Sequence, residues 1–209
     1  MPQEADISEP VKVALRTRFK RKLSAIEPAH KTELSAQIRG RLREFNFVRE
    51  AGCVLCYSPL ADEPDIWPWV EDRLVEGRRV ALLRFEPTME EYVAVEVRGR
   101  DGEMGIGRFG VREPSASCPV VQWNQLDLVL VPGLGFDLSG GRLGRGRGFY
   151  DRLLARVVGT ACGVAFEEQL CAELPCEAHD VGLDCLVTPE RLLSFSSSGG
   201  GRNRTARGD

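Results

Sequence analysis

One short run of apolar residues limits the possible fold more than any other feature of this chain. Asp127–Val131 reads Asp-Leu-Val-Leu-Val, and Pro132-Gly133 follows directly. A strand with one face in water would alternate apolar and polar residues, whereas an unbroken apolar run is typical of a strand in the middle of a parallel sheet. The sequence therefore predicts a sheet that is covered on both faces.

Helical and strand-like segments alternate around this run. Apolar stripes at helical spacing predict helices over residues 11–26, 31–45, 66–76 and 150–158. Short apolar runs predict further strands over residues 53–57, 79–84, 160–165 and 185–187, an exposed edge strand over 92–97 and a loop over 102–114. Strands that alternate with helices indicate βαβ units, so the fold class expected is α/β, a three-layer α/β/α arrangement with a mostly parallel sheet.

The length of 209 residues suits a single domain. We expect a flexible N-terminus over residues 1–10, one domain over 11–193, and a disordered Ser/Gly-rich tail over 194–209. The net charge of −3 gives no general argument for nucleic-acid binding. No apolar run is long enough to span a membrane, and residues 1–10 lack the apolar core of a signal peptide.

The cysteines predict a reducing compartment. Seven cysteines are an odd number, and no secretory signal precedes them, so we expect free thiols and a cytoplasmic protein. Cys53 and Cys56 form a CxxC pair inside an apolar run. Buried structural thiols are expected there rather than a metal or redox site, since no second pair supports zinc.

A glycine-rich segment begins some ten residues after the central strand, at the edge of the sheet where ligands of such folds bind. Glycines occupy every second position, at Gly144, Gly146 and Gly148. Arginines precede and separate them, at Arg142, Arg145 and Arg147. Glycine N–H groups can converge on phosphate oxygens, guanidinium groups add paired donors, and Asp151 at the start of the next helix could hold Mg²⁺. A flexible turn with solvated arginines is the alternative.

Several segments occur in the order found in one enzyme family. They are Lys12-x-x-Leu15-Arg16, Phe109-Gly110-Val111-Arg112-Glu113-Pro114, the segment 127–137, the segment 142–151, the segment 163–170, Pro175 and His179-Asp180. Over about residues 11–190 the chain resembles the 5-formyltetrahydrofolate cyclo-ligase family. The resemblance implies the α/β/α fold of the sugar-isomerase and CoA-transferase-like group. It also implies conversion of 5-formyltetrahydrofolate and ATP to 5,10-methenyltetrahydrofolate, ADP and phosphate, with Mg²⁺.

The resemblance also implies site residues. The ATP contacts are Lys12, Arg16, Arg142, Leu143, Gly144, Arg145, Gly146, Arg147, Gly148, Phe149 and Tyr150, and the three arginines of this loop are the expected catalytic cations. Asp151 and Asp180 are the expected Mg²⁺ ligands, and Ser58, Glu63 and Tyr150 the expected substrate contacts. Many members carry neutral residues where Arg145 and Arg147 stand, and tyrosine in place of Phe149. Which of Trp67, Trp69 and Phe85 lines the folate pocket stays open.

Plainer interpretations remain for each residue. Lys12 and Arg16 could form a solvated helix face, Asp151 an early-helix acid, Asp180 a loop cap, and Glu63 a solvated loop acid. His30 and His179 are expected at the surface or as caps. The chain could also be a non-catalytic nucleotide-binding relative with a regulatory or RNA-binding role, or a sugar-phosphate isomerase. The favoured hypothesis is a monomeric enzyme that acts on small molecules, without a membrane or nucleic-acid partner.

Overall fold

The computed structural model describes residues 8–99, 104–107, 111–177 and 179–195. The helices are α1 (Ser8–Ala25), α2 (Pro28–Glu44), α3 (Asn46–Glu50), α4 (Trp67–Val75) and α5 (Phe149–Leu154). The strands are β1 (Cys53–Leu55), β2 (Arg79–Glu86), β3 (Glu91–Val97), β4 (Met104–Ile106), β5 (Arg112–Pro114), β6 (Val120–Val121), β7 (Leu128–Val131), β8 (Gly135–Asp137), β9 (Arg142–Leu143), β10 (Thr160–Val164), β11 (Leu170–Cys171), β12 (Cys185–Val187) and β13 (Leu192–Ser194). None of the described helices combines the length and apolar composition that crossing a bilayer requires.

The predicted central strand is β7. It lies in an eight-stranded sheet of order β13-β12-β10-β7-β1-β2-β3-β6, parallel to both of its neighbours. Leu128 and Leu130 pack on the face that carries α1, α2 and α4, whereas Val129 and Val131 pack on the face that carries α5. The continuous apolar run thus fills two cores at once. The three-layer α/β/α prediction is confirmed, and antiparallel pairs occur only toward the edges of this sheet.

Two predictions in the middle of the chain are wrong. The strand at 92–97 is not an edge strand, because β6 pairs outside it at Ala94↔Val121, and Ala94 and Val95 are buried. Residues 102–114 are not simply a loop, since β4 and β5 form an antiparallel hairpin in which Met104 is paired with Pro114. Strands of two or three residues are too short to show a periodic pattern. Phe109 and Gly110 of the family-like motif lie outside the described residues.

The ends of the fold also differ from the expected boundaries. Helix α1 begins at Ser8, inside the segment expected to be flexible, and residues 1–7 lie outside the described part of the chain. The expected disordered tail is wrong for its first two residues. Ser194 belongs to β13, and the Phe195 N–H donates to the Asp184 carbonyl at 2.9 Å while its ring packs on the core. Residues 196–209 lie outside the described part.

A small second sheet positions the glycine-rich segment beside α1. Its strand order is β11-β8-β9, and it follows β7 through Pro132-Gly133. A Cβ at Gly135 would lie 2.3 Å from Cε2 of Phe19, so only glycine lets α1 pack this closely on β8. The Asp137 carboxylate then closes the turn before β9, accepting the Ser139 and Gly141 N–H groups at 2.8 and 2.7 Å. This packing brings the start of α1 to the glycine-rich segment.

Candidate active site

A cleft of about 850 Å³ opens beyond the carboxyl ends of β1, β2 and β7. Tyr57 and Ser58 line it after β1, and Pro132 and Gly133 line it after β7. Parallel strands leave such a crevice because their connections run to opposite faces of the sheet. The remaining wall includes Glu63 and most of the segment 142–151, so residues predicted for substrate and for nucleotide meet in one cavity.

The glycine-rich segment adopts a backbone that its glycines make possible. Gly146 and Gly148 have φ of +92° and +55°, in the left-handed region that other residues adopt at a cost. Arg16 of α1 lies directly against this turn, with its Nε donating to the Gly144 carbonyl at 3.2 Å. A Cβ at Gly146 would come within 3.3 Å of Cζ of Arg16. The alternating glycines therefore allow both the turn and the close approach of a cation.

Arg142 and Asp151 form a buried ion pair at the base of this turn. The Arg142 side chain is 3% exposed, and its Nη2 lies 3.0 Å from both carboxylate oxygens of Asp151. Its Cζ lies 5.4 Å from the centroid of the Tyr150 ring, a cation–π distance. The Nε of Arg142 is buried and has no hydrogen-bond partner among the described residues.

Lys12 forms the second buried cation site. Its side chain is 8% exposed, and its Nζ lies 2.9 Å from Asp180 Oδ2 and 3.0 Å from Glu177 Oε1. Burial alone would lower the pKa of Lys12, but the hydrogen bonds and charges of the two carboxylates outweigh it and raise the pKa. Burial alone would raise the pKa of Asp180, but the Lys12 hydrogen bond, the Glu177 N–H and nearby positive charge lower it.

The two acids that contact Lys12 belong to a group of possible metal ligands. The group consists of Glu177, His179 and Asp180, whose ligand atoms all lie within 4.8 Å of one another. His179 is 69% exposed, in agreement with the surface position expected for it, and its Nε2 lies 3.3 Å from Glu177. Glu177 was missed by the sequence analysis, because an acid in an irregular segment carries no spacing signal.

Arg145 reaches across the cleft to the loop after β1. Its Nη2 lies 2.6 Å from Asp62 Oδ1 and 3.0 Å from Glu63 Oε1. The Glu63 side chain is 6% exposed, so it is not the solvated loop acid of the plainer interpretation. Burial raises the pKa of Glu63, and the Leu60 N–H and the Arg145 charge offset only part of this effect. Asp62 was not among the predicted residues.

Aromatic rings form one wall of the cleft. Four rings form a series of edge-to-face contacts, in the order Phe85, Tyr92, Phe149 and Tyr150. The centroid distances between consecutive rings are 5.3, 4.7 and 5.2 Å. Phe85 therefore belongs to the cleft. Trp69 packs in the core under Arg73. Trp67 lines an adjoining cavity of about 430 Å³ near α2, which shares Ser58 and Glu63 with the cleft.

The other predicted residues take several positions. Ser58 lines the cleft and donates its Oγ to the Arg112 carbonyl at 2.7 Å. The Leu143 side chain is buried in the core, so that residue offers a ligand only its backbone. Arg147 is exposed at the cleft, and its carbonyl accepts a hydrogen bond from Arg152 at 3.1 Å.

The predicted nucleotide-binding cations share one feature. Each of four lies against a carboxylate: Lys12 on Asp180 and Glu177, Arg16 on Glu9, Arg142 on Asp151, and Arg145 on Asp62 and Glu63. Arg142 and Arg145 line the cleft, whereas Lys12 and Arg16 are not among its lining residues. A polyanion entering the cleft would compete for Arg142 and Arg145 and release their carboxylates, which are the ligands that Mg²⁺ prefers.

Comparisons with known proteins agree with this arrangement. The model of the 5-formyltetrahydrofolate cyclo-ligase family matches residues 8–189. A 5-formyltetrahydrofolate cyclo-ligase of Mycolicibacterium smegmatis is 32% identical over 185 residues, which cover 86% of this chain and 94% of that protein. The cyclo-ligase of Escherichia coli K12 is 29% identical over 82% of this chain and 96% of its own length.

A solved structure supports the same assignment. The NMR structure of Aquifex aeolicus 5,10-methenyltetrahydrofolate synthetase superimposes with a TM-score of 0.82 at 30% identity, covering 95% of this chain and all of that one. The family match covers every residue of the cleft described above and all of the described strands and helices except β13. This chain belongs to the 5-formyltetrahydrofolate cyclo-ligase family.

Proposed function

We propose that this protein converts 5-formyltetrahydrofolate and ATP to 5,10-methenyltetrahydrofolate, ADP and phosphate. One observation carries the proposal. In a member of the cyclo-ligase family, the cation-rich turn at 142–151 and the buried acid Glu63 face each other in a single cleft. A nucleotide phosphate and a folate ring held at these two places would meet inside it.

The chemistry requires activation of an amide. The formyl group on N5 of the substrate is a poor electrophile, and transfer of the γ-phosphoryl group to its oxygen makes that oxygen a leaving group. N10 then attacks the formyl carbon and loses its proton, the C–O bond breaks, and phosphate departs with the bonding electrons. No enzyme nucleophile is needed, so the protein contributes positioning and charge stabilisation.

Arginine and lysine side chains supply that stabilisation. We assign Arg142, Arg145 and Arg147 to the transferred phosphoryl group, because all three line the cleft. Lys12 and Arg16 would bind the remaining phosphates from α1, and the N–H groups of residues 144–148 would add donors. Guanidinium groups suit this task because their paired N–H donors match phosphate oxygens.

The folate ring is assigned to the aromatic wall and Glu63. Phe85 and Tyr150 offer ring faces and edges against which a pterin can pack. The Glu63 carboxylate is buried and can accept hydrogen bonds from the N–H groups of the pterin edge. Ser58 contributes a hydroxyl at the same side of the cleft.

The residues present suit Mg²⁺. Asp151 and Asp180 are carboxylates, each paired with a cation that we assign to phosphate, so phosphate binding would leave their oxygens available. Glu177 adds a further carboxylate beside Asp180. When bound, the metal neutralises charge on the phosphates during transfer. We further propose that the enzyme is a monomer and that it is cytoplasmic. The cytoplasmic location is supported by seven free cysteine thiols, five of them buried.

A spectrophotometric assay tests the proposal. Purified protein with Mg-ATP and 5-formyltetrahydrofolate should produce the near-ultraviolet absorbance of methenyltetrahydrofolate, and omission of ATP should abolish it. Arg142→Ala should lower kcat/KM at least about tenfold, whereas Arg43→Ala, an exposed arginine of α2, should not. A wild-type protein that binds Mg-ATP yet forms no product would instead support the non-catalytic alternative.

A further inference from the structure

Asp62, Glu63 and Arg145 form an ion cluster across the cleft, here called the Arg145 triad. Arg145 lies on the glycine-rich turn, and the two acids lie on the loop after β1, some 82 residues away in sequence. Nε and Nη2 of Arg145 lie 3.3 and 3.0 Å from the same oxygen, Oε1 of Glu63, and Nη2 also reaches Asp62 at 2.6 Å. The triad thus joins the two loops that carry the proposed substrate contacts.

The triad occupies groups that both substrates need. Oε2 of Glu63 accepts the Leu60 N–H at 3.0 Å, which fixes the carboxylate. Oε1 therefore faces Arg145 as the oxygen through which Glu63 would meet a pterin donor. In the same way, Nε and Nη2 of Arg145, which would donate to a phosphate, face Asp62 and Glu63. Arg145 therefore occupies the Glu63 oxygen proposed for folate, and the two acids occupy the Arg145 donors proposed for phosphate.

We infer that Arg145 couples the nucleotide and folate sites, so that the first substrate to bind breaks the Arg145–Glu63 contact and raises the affinity for the second. The inference rests on the proposed function and adds to it a positive interaction between the sites. A phosphate that draws Arg145 away leaves Oε1 of Glu63 open to the pterin. Folate that takes Oε1 leaves Arg145 held by Asp62 alone. Linkage requires the two effects to be equal in size.

Burial makes this exchange energetically significant. The Glu63 carboxylate is almost fully enclosed, so its contact with Arg145 is screened by water far less than a surface ion pair. The first ligand must break that contact, and the second ligand then binds without this cost. We define the coupling factor as the dissociation constant of one ligand alone divided by its dissociation constant with the other ligand bound. We expect a factor of roughly ten, within the range typical of linked sites.

Asp62 is a positioning residue in this arrangement. It contacts Arg145 but is not assigned to either substrate, and its side chain is 30% exposed. Asp62→Asn keeps the size of the side chain and removes one of the two negative charges that hold Arg145. Arg145 then becomes easier to withdraw, so the free protein should bind nucleotide several-fold more tightly, while the coupling factor should persist because the Arg145–Glu63 contact remains. A purely structural role for Asp62 would not increase affinity.

Equilibrium binding with a non-reacting pair tests the inference. The dissociation constants of a non-hydrolysable Mg-ATP analogue and of 5-formyltetrahydrofolate are measured alone and with the other ligand saturating. Wild-type protein should give the roughly tenfold factor in both directions, and Arg145→Gln should bring it close to one. Arg147→Gln removes one charge from the same turn and leaves the three triad residues in place, so it should weaken nucleotide binding but keep the factor.

The outcomes separate this inference from the proposed function. Absence of binding and of product formation by wild-type protein would overturn both. Normal product formation with independent binding of the two ligands would overturn the coupling alone. A wild-type coupling factor in Arg145→Gln, or an unchanged nucleotide affinity in Asp62→Asn, would likewise contradict the role of the triad. Circular dichroism of each variant verifies that the fold is intact.

Discussion

Replacement of Asp151 by asparagine should destabilise the protein through Arg142 even before any substrate is added. Arg142 is 3% exposed and both carboxylate oxygens of Asp151 lie 3.0 Å from its Nη2, while its Nε has no partner among the described residues. Asparagine keeps the shape and one acceptor oxygen but removes the only opposite charge described against this guanidinium. Breaking one side of a buried ion pair costs about 3–5 kcal/mol.

The expected cost is somewhat smaller here. Asp151 retains 14% exposure, and the remaining amide oxygen can still accept one hydrogen bond. We therefore expect a loss of about 2–3 kcal/mol in the free energy of unfolding. For a chain of this size that corresponds to a fall in Tm of roughly 4–12 °C. Urea unfolding at neutral pH, followed by circular dichroism, measures the change directly.

A matched surface pair supplies the control. Arg43 and Asp72 form an ion pair whose side chains are 49% and 52% exposed, so Asp72→Asn should change stability by about 0.5 kcal/mol or less. If Asp151→Asn were as stable as Asp72→Asn, the Arg142 charge would not depend on Asp151, and the argument from burial would be refuted. Product formation in the same variant should fall at least about tenfold in kcat/KM.

Three further changes follow from the same geometry. Gly146→Ala should lower kcat/KM at least about tenfold in the product assay, because a Cβ is strained at φ of +92° and would lie 3.3 Å from Cζ of Arg16, so the turn and Arg16 must shift. Since the pKa of Asp180 is lowered in the folded protein, ionised Asp180 should stabilise the fold at neutral pH, and this stabilisation should be lost as pH falls below about 4. Urea unfolding at a series of pH values measures the free energy of unfolding, which should depend less on pH in Lys12→Met. Phe85→Ala should raise the KM for folate several-fold while leaving the KM for ATP near wild type, as initial rates would show.

The central sheet was predictable because its signal is local and strong. The run at 128–131 is apolar on both faces, and both faces are buried by helices, as the pattern requires. The β4–β5 hairpin and β6 were not predictable, since β6 has two residues that pair with the longer β3, and β4 and β5 are three-residue strands that pair with each other. Thus tertiary pairing, and not propensity, decides the edge of the sheet.

Many of the residues predicted for the site line one cleft, but their contacts were not predictable. The spacing of Gly144, Gly146 and Gly148 indicates a phosphate-binding turn, and the resemblance assigns cations and carboxylates around it. Nothing in the sequence pairs Arg145 with Glu63, because ion pairs between distant loops leave no periodic pattern. Glu177 and Asp62 were not predicted for the same reason, because only their contacts with Lys12 and Arg145 in the structure connect them to the site.

The ion pairs of the predicted site residues resolve an apparent conflict in their composition. Buried or half-buried cations would lower stability if they stood alone, and so would the carboxylates proposed for a metal. Paired with each other, as Lys12 is with Asp180 and Arg142 with Asp151, the cations and carboxylates offset each other's charge in the folded protein. In the proposed complex, the phosphates of Mg-ATP would pair with the cations and the metal with the carboxylates, so no buried charge would be left unpaired. Such a site would favour the metal complex over the bare nucleotide, because the bare nucleotide would pair with the cations and leave the carboxylates without a partner.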